Sequence, residues 1–276
     1  MSGPRRIWKM SGAGNDFVVL GLEEARELGA GAPEWARRVC RRGLSVGADG
    51  VLLVEPFPGG AVRVRFLNPD GEEAFCGNGS RCAARYAFLR GYAGRTMTLE
   101  TAAGSVRAEI TGDCVSVALP LPEDLGDRCV EAGGRRFEGR LVAAGVPHFI
   151  VRVAAVSEAP LEVWGPALRR HPSFGPSGTN VDLVEARADA LSIRTWERGV
   201  EGETLACGSG AVAAAWAHRA LAPGAGPVAV VPRSGVPLRV EFAGRGGLPE
   251  TAILTGDARL VFEATLSDEA VSGWAP

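Results

Sequence analysis

Two segments of this 276-residue chain set a cysteine before a pair of closely spaced glycines: Cys76-Gly77-Asn78-Gly79 and Cys207-Gly208-Ser209-Gly210. Each closes a polar, Glu-containing loop and opens an Ala-rich stretch that reads as a helix, Ser80 to Phe88 in the first and Ala211 to Leu221 in the second. The first N–H groups of a helix have no partner inside it, and the helix dipole adds partial positive charge there. A thiol at that position has its pKa depressed toward the reactive range, and the same N–H groups can seat a small anion such as an α-carboxylate. Set opposite each other, two such cysteines bracket an α-carbon. One thiolate removes the proton from one side while the other thiol delivers a proton from the far side, and the centre inverts. The α-proton is weakly acidic, so the site needs donors aimed at the carboxylate as it gains enolate character, closed away from water.

The elements that must position these cysteines come in duplicate. Cys76 and Cys207 lie 131 positions apart, and so do Gly14 and Gly145, Gly47 and Gly178, and Arg38 and Arg169. That period is too long for a solenoid. Alternating or continuous apolar runs predict strands at 7–10, 17–20, 51–55, 62–67, 98–101, 105–110 and 115–119, and again across 141–153, 192–197, 228–231, 238–242, 252–254 and 260–265. Helices are expected at 33–42, where proline occupies the first turn, and at 161–171 around Pro166. The expectation is an α+β fold of two pseudo-symmetric domains, each a curled, mostly antiparallel sheet around a central helix. The active site would lie in the cleft between them. The first domain would span 1–119 and the second 120–258, joined through Pro120-Leu121-Pro122-Glu123-Asp124, with a last strand and tail over 259–276.

The totals exclude several classes. Net charge is −2 and no basic block occurs, so neither nucleic acid nor an anionic membrane is an expected partner. No apolar run approaches a membrane span and the N-terminus lacks an apolar signal core, which points to the cytoplasm. Six cysteines in a chain of this size read as reduced thiols, and no Cys-x-x-Cys or metal-ligand histidine spacing is present, so no metal is expected. Cys40, Cys82, Cys114 and Cys129 read as small buried hydrophobes, and His171 and His218 as surface residues. Lys9 is the sole lysine against 29 arginines, which leaves pyridoxal phosphate one position to attach to. Gly12-x-Gly14 lacks the third glycine of a dinucleotide fingerprint and precedes a strand, so nucleotide binding is not expected.

Three segments together resemble one family. They are Lys9-Met10-Ser11-Gly12-Ala13-Gly14-Asn15-Asp16-Phe17; Asn68-Pro69-Asp70-Gly71 followed by Cys76-Gly77-Asn78-Gly79-Ser80-Arg81-Cys82; and Glu197-Arg198-Gly199 with Gly202-Glu203-Thr204-Leu205-Ala206-Cys207-Gly208-Ser209-Gly210. They are similar to the signatures of diaminopimelate epimerase, nearly from end to end. The resemblance implies a cofactor-independent isomerase that interconverts LL- and meso-2,6-diaminopimelate in bacterial lysine and cell-wall biosynthesis. It implies a homodimer whose final strand packs back on the first domain. It also implies that Cys76 and Cys207 are the acid/base thiols, with His148 and Glu197 assisting their ionisation. Main-chain N–H groups near Gly77, Asn78, Gly208 and Ser209 would hold the reacting carboxylate. Asn15, Asn68, Asn180, Glu197 and Arg198 would hold the distal amino-acid end. The chain departs from the family's usual pattern at Val146, at Gly50 after Asp49, and in a one-residue-shorter span from Asn68 to Cys76.

The residues alone leave rivals open. A racemase for proline or hydroxyproline would share the fold, a dithiol redox protein would cycle Cys76 and Cys207 through a disulfide, and a two-lobed binding module would hold an amino acid without turnover. His148 after proline could be a hydrogen-bonded core histidine, Glu197-Arg198 a rim ion pair, and the three asparagines turn formers.

Overall fold

A computed structural model describes residues 5–221, 226–246 and 248–272, so the end of the expected tail, 273–276, lies outside the described residues. The chain forms two compact units, Met1–Val117 with Gly256–Pro276 and Ala118–Thr255. In chain order the first contains β1 (Arg5–Gly12), β2 (Asn15–Leu20), α1 (Leu22–Leu28), α2 (Ala32–Val39), β3 (Gly50–Phe57), β4 (Ala61–Leu67), β5 (Glu73–Ala74), α3 (Gly77–Leu89), β6 (Thr96–Thr101), β7 (Gly104–Thr111) and the start of β8 (Cys114–Pro120). The second contains β9 (Glu123–Ala132), β10 (Arg135–Ala144), β11 (Val146–Arg152), α4 (Leu161–Arg169), β12 (Asn180–Ala186), β13 (Leu191–Glu197), β14 (Gly202–Thr204), α5 (Gly208–Leu221), β15 (Val228–Val231), β16 (Leu238–Arg245) and most of β17 (Leu248–Asp257). The final strand, β18 (Arg259–Leu266), pairs antiparallel with β1 and so belongs to the first unit.

The class is α+β, and the two units repeat one topology. In the first, the sheet order is β18-β1-β2-β3-β4-β6-β7-β8, with β2–β3 and β4–β6 parallel and the other pairs antiparallel. In the second it is β9-β10-β11-β12-β13-β15-β16-β17, with parallel pairs at the same two places, β11–β12 and β13–β15. Short β5 and β14 add to β4 and β13 in matching positions. The strand that the chain's end supplies to the first sheet is supplied to the second by β9. The sequence offset is therefore the trace of a duplicated sheet, closed from opposite directions along the chain.

Each sheet wraps a buried helix. α3 packs against β1, β2, β3, β4, β6 and β7, and α5 against β10, β11, β12, β13, β15 and β16. A helix walled by six strands must carry small side chains close to its axis, which is why both are Ala-rich and α5 reads Ala-Val-Ala-Ala-Ala. The outer faces are covered by α1 and α2 in one unit and α4 in the other, with Trp35, Ala36 and Val39 or Leu161 and Leu168 in the cores. Strands covered on both faces lose their alternation. Phe17-Val18-Val19-Leu20 and Val51-Leu52-Leu53-Val54 are continuously buried for this reason.

Several expectations shift. The β1–β2 turn is tighter than the sequence suggested, with only Ala13 and Gly14 between the strands, both at positive φ (58° and 99°) as a two-residue primed turn requires. Gly12-x-Gly14 thus serves a hairpin. α2 ends at Val39 instead of Arg42, and α1, β5, β9, β12 and β14 were not foreseen. Cys40 and Cys82 are buried as expected, but Cys114 and Cys129 are exposed: each falls on the outward set of an alternating strand. His171 and His218 are half-buried. Among the described residues, no helix is long and apolar enough to cross a membrane.

Candidate active site

Both cysteine motifs start the buried helices. Cys76 is the N-cap of α3, with extended backbone (φ −138°, ψ 116°), and its Sγ accepts the Gly79 N–H at 3.3 Å. Its carbonyl accepts both the Ser80 N–H (2.8 Å) and Oγ (2.9 Å). Cys207 stands in the same relation to α5: its carbonyl accepts the Ala211 N–H at 3.0 Å, and the Gly210 N–H points at its sulfur. Gly77 and Asn78, and Gly208 and Ser209, are therefore the first helical residues of their units, with N–H groups at the positive end of each dipole.

The surroundings of the two sulfurs differ. Within its own unit Cys76 is bordered by side-chain amides, with the Arg81 charge behind them. Asn15 donates through Nδ2 to Asp49 (2.7 Å), which turns its carbonyl toward Asn78 Nδ2 (3.3 Å) and Cys76 Sγ (3.6 Å). Asn78 is buried and accepts from Arg81 Nη1 at 2.9 Å. Arg81, a fully buried guanidinium on α3, was not singled out from the sequence; burial drives its pKa down, and Nη2 has no hydrogen-bond partner among the described residues. Asp49 and Asp16 are bound in turn by Arg42, and Asp16 by Lys9 (2.6 Å). Burial alone would raise the Asp16 carboxyl; the Arg42 and Lys9 hydrogen bonds overcome it and hold the group below its ordinary value. Asn68 sits in the turn between β4 and β5, where its carbonyl accepts from Gly71 N–H at 2.9 Å.

Cys207 lies among ionisable groups. Burial pushes its thiol well above the ordinary range; the Glu197 and Asp182 charges push the same way, and hydrogen bonds from Ser209 and Gly210 pull back. Glu197, at the end of β13, is raised by burial, against hydrogen bonds from Thr204 and Cys207 and the field of His148. His148 on β11 has no exposed surface; Nδ1 is 2.7 Å from Asp182 Oδ2 and Nε2 is 3.0 Å from Ser209 Oγ. Ser209 Oγ is 3.4 Å from Cys207 Sγ. Asn180 donates through Nδ2 to the Pro147 carbonyl (3.0 Å) and approaches His148 Nε2 (3.4 Å), while its Oδ1 accepts the Arg198 N–H (2.7 Å). The Arg198 side chain is half-buried, and no hydrogen bond or ion pair to its guanidinium exists among the described residues.

Within the first unit, then, Cys76, Asn15, Gly77 and Asn78 come together, with Asn68 in a separate turn. Within the second, Cys207, His148, Glu197, Asn180, Gly208 and Ser209 form one cluster with the Arg198 backbone. Sequence reasoning missed Asp182, Thr195 and Thr204. Asp182 had a legible signal: it is the lone charge inside the apolar run Val181-Asp182-Leu183-Val184, and a buried carboxylate requires partners. Gly50 also finds a reason. A Cβ there would lie 2.2 Å from the Phe66 ring and 2.7 Å from the Leu67 carbonyl, so no larger residue fits opposite β4.

A buried carboxyl whose pKa is raised on folding contributes stability that is complete below its unfolded value and is lost as pH rises through the raised one. Glu197 therefore opposes folding at neutral and alkaline pH. Glu197→Gln keeps an acceptor for Thr204 and is expected to raise the thermal midpoint by about 2 °C at pH 8, and by less at pH 4, in a melting series across that range. A variant that melts lower at pH 8 would show that the charge itself is stabilising.

The family model for diaminopimelate epimerase matches residues 7–119 and 140–261. The chain is 39% identical to the diaminopimelate epimerase of Aquifex aeolicus over 95% of its own length and 98% of that protein's. It is 38% identical to that of Archaeoglobus fulgidus, over 94% and 95%. Among solved structures, a hydroxyproline epimerase from Agrobacterium vitis superposes with a TM-score of 0.72, covering 97% of this chain and 94% of that one at 17% identity, which is a likeness of fold alone.

Proposed function

Because this chain belongs to the diaminopimelate epimerase family, we propose that it interconverts LL- and meso-2,6-diaminopimelate by proton transfer at one α-carbon, as a step in lysine biosynthesis. The observation that carries the reading is the family match along nearly the whole chain, which takes in both cysteine-capped helix starts. Cys76 and Cys207 are the two bases. One takes the α-proton as a thiolate and the other, as a thiol, returns a proton to the opposite face, a shuttle that uses no cofactor. The carboxylate beside the reacting carbon gains enolate charge in the transition state, and donors fixed in advance stabilise it most where water is absent. The N–H groups of Gly77, Asn78, Gly208 and Ser209 supply those donors. His148 and Glu197 assist the ionisation of the thiols.

At the distal end the half-buried Arg198 guanidinium suits a second carboxylate, which it can bind through two parallel N–H bonds. Asn15, Asn68, Asn180 and Glu197 complete that end. We further place the enzyme in the cytoplasm as a homodimer acting on a small amino acid. The test is incubation of the reduced protein with LL-diaminopimelate in deuterated water. The expected product is meso-diaminopimelate carrying one solvent deuterium at the inverted carbon. Turnover of proline or hydroxyproline in its place would reassign the substrate, and an absence of α-exchange with any amino acid would leave a redox or binding role.

A further inference from the structure

A continuous line of hydrogen bonds runs from a buried carboxylate to the Cys207 sulfur, entirely within residues 118–255: Asp182 Oδ2 to His148 Nδ1 (2.7 Å), His148 Nε2 to Ser209 Oγ (3.0 Å), and Ser209 Oγ to Cys207 Sγ (3.4 Å). Two independent constraints fix which imidazole nitrogen carries the proton. Asp182 is wholly buried and accepts from Thr195 Oγ1 (2.7 Å) through its other oxygen, so the imidazole must donate from Nδ1. Asn180 sets the other side of the ring. The Arg198 N–H donates to Asn180 Oδ1 and Asn180 Nδ2 donates to the Pro147 carbonyl, so it is the amide NH2 that faces His148 Nε2, which must therefore be an acceptor. With Nε2 bare, the Ser209 hydroxyl donates to it and accepts from the Cys207 thiol; once the proton has passed, the same hydroxyl donates to the thiolate.

We propose that Asp182 is a positioning residue that holds His148 with its proton on Nδ1, and that the Ser209 hydroxyl carries the Cys207 proton to His148 Nε2. The transfer balances without any further reagent. The Sγ–H bond breaks as a new bond to Ser209 Oγ forms, the original Oγ–H bond breaks as Nε2–H forms, and the products are a Cys207 thiolate and an imidazolium against the Asp182 carboxylate. The charged groups facing Cys207 are Glu197 from β13, Asp182 from β12 and His148 from β11. Glu197 accepts a hydrogen bond from the Cys207 thiol, but the charges of both carboxylates oppose the thiolate, so a chain that ends in an imidazolium against Asp182 eases the ionisation. This inference rests on the epimerase reading for its kinetic consequence, but its structural content does not depend on that reading.

The test uses the full chain labelled with 15N-histidine. With three histidines in the sequence, His171→Gln and His218→Gln assign the His148 signals. The expected spectrum has a protonated Nδ1 and an unprotonated Nε2. In Asp182→Asn, Thr195 keeps its acceptor and the amide NH2 turns to Nδ1, so the proton is expected on Nε2. That variant should lose about 10²-fold or more in kcat, and the acid limb of kcat/KM should move to higher pH. The sign is diagnostic, because removing a negative charge near Cys207 would by Coulomb's law alone ease its ionisation and move the limb down. Ser209→Ala should lose a comparable factor with the His148 tautomer unchanged, and Ser209→Thr, which keeps the hydroxyl, should recover most of it. An Nε2-protonated ring in the parent protein, a downward shift of the acid limb in Asp182→Asn, or full activity of Ser209→Ala would each overturn the relay. Should Asp182→Asn fail to fold, the Ser209 pair decides alone. A parent protein that epimerises nothing would sink the proposed function, and the imidazole spectrum would still decide the proton's position.

Discussion

Cys76→Ala and Cys207→Ala are each expected to stop epimerisation, by about 10⁴-fold or more in kcat, and yet each to keep exchanging the α-proton of one stereoisomer. The reason lies in what inversion demands. Two bases must act on opposite faces of the carbon, so a chain with one thiol left can still remove a proton from its own side, trade it with solvent and return it with retention. One variant should therefore wash deuterium into LL-diaminopimelate only and the other into the meso form only, read by mass spectrometry of recovered substrate. The two residual rates should differ, because the sulfurs are not equivalent. Cys76 is half-exposed beside the Asn15 and Asn78 amides with a buried guanidinium behind them, whereas Cys207 is buried against two carboxylates. A single variant exchanging both isomers would mean that one base reaches both faces, which the two-thiol mechanism forbids.

The twofold plan of this chain was legible because duplication leaves constant offsets, and glycine is the residue least free to drift where a turn needs positive φ. Gly14, Gly145, Gly47 and Gly178 all have it. The helix starts were legible for a related reason: Cys76 and Cys207 each precede glycines whose N–H groups must reach back to the sulfur. What the residues could not give was the polar lining. Asp182 reads as one position of a strand, and only the parallel pairing of β11 with β12 brings it against His148. Arg81 stands in the expected central helix as one residue of a motif, and nothing in the residues marks its guanidinium as fully buried inside six strands. Cys114 and Cys129 fail in the opposite sense. Cysteine is usually interior, but strand alternation decides the face, and the outward-facing sets of β8 and of β9 overrode the residue's preference.

The second large effect is expected at Gly210. A Cβ there would lie 2.6 Å from Asp182 Oδ1, with Cys207 Cβ and Thr195 Oγ1 each at 3.3 Å. The close atom is the short side chain of a buried strand residue, bonded through both oxygens, so it cannot swing away as a long flexible group would. Gly210→Ala must shift the start of α5 or turn the carboxylate off His148. Either displaces the groups proposed to ionise Cys207, and kcat is expected to fall by about 10- to 100-fold, the usual range for losing such a supporting contact. Overpacking should cost about 1–3 kcal/mol, offset in part by the better helix propensity of alanine. Gly79, the matching residue of the first unit, provides the control. Its nearest neighbour would be Leu52 Cδ2 at 3.1 Å, a methyl at the end of a side chain that can give way, so Gly79→Ala should be close to neutral in stability. The cause is then isolated by the pair Gly210→Ala and Asp182→Ala. If the Cβ–carboxylate clash is what matters, truncating Asp182 removes it, and the double variant should be more stable than the sum of the single losses predicts. Strict additivity in denaturant unfolding would place the strain elsewhere in the helix start and leave Asp182 without its part in holding that end of α5.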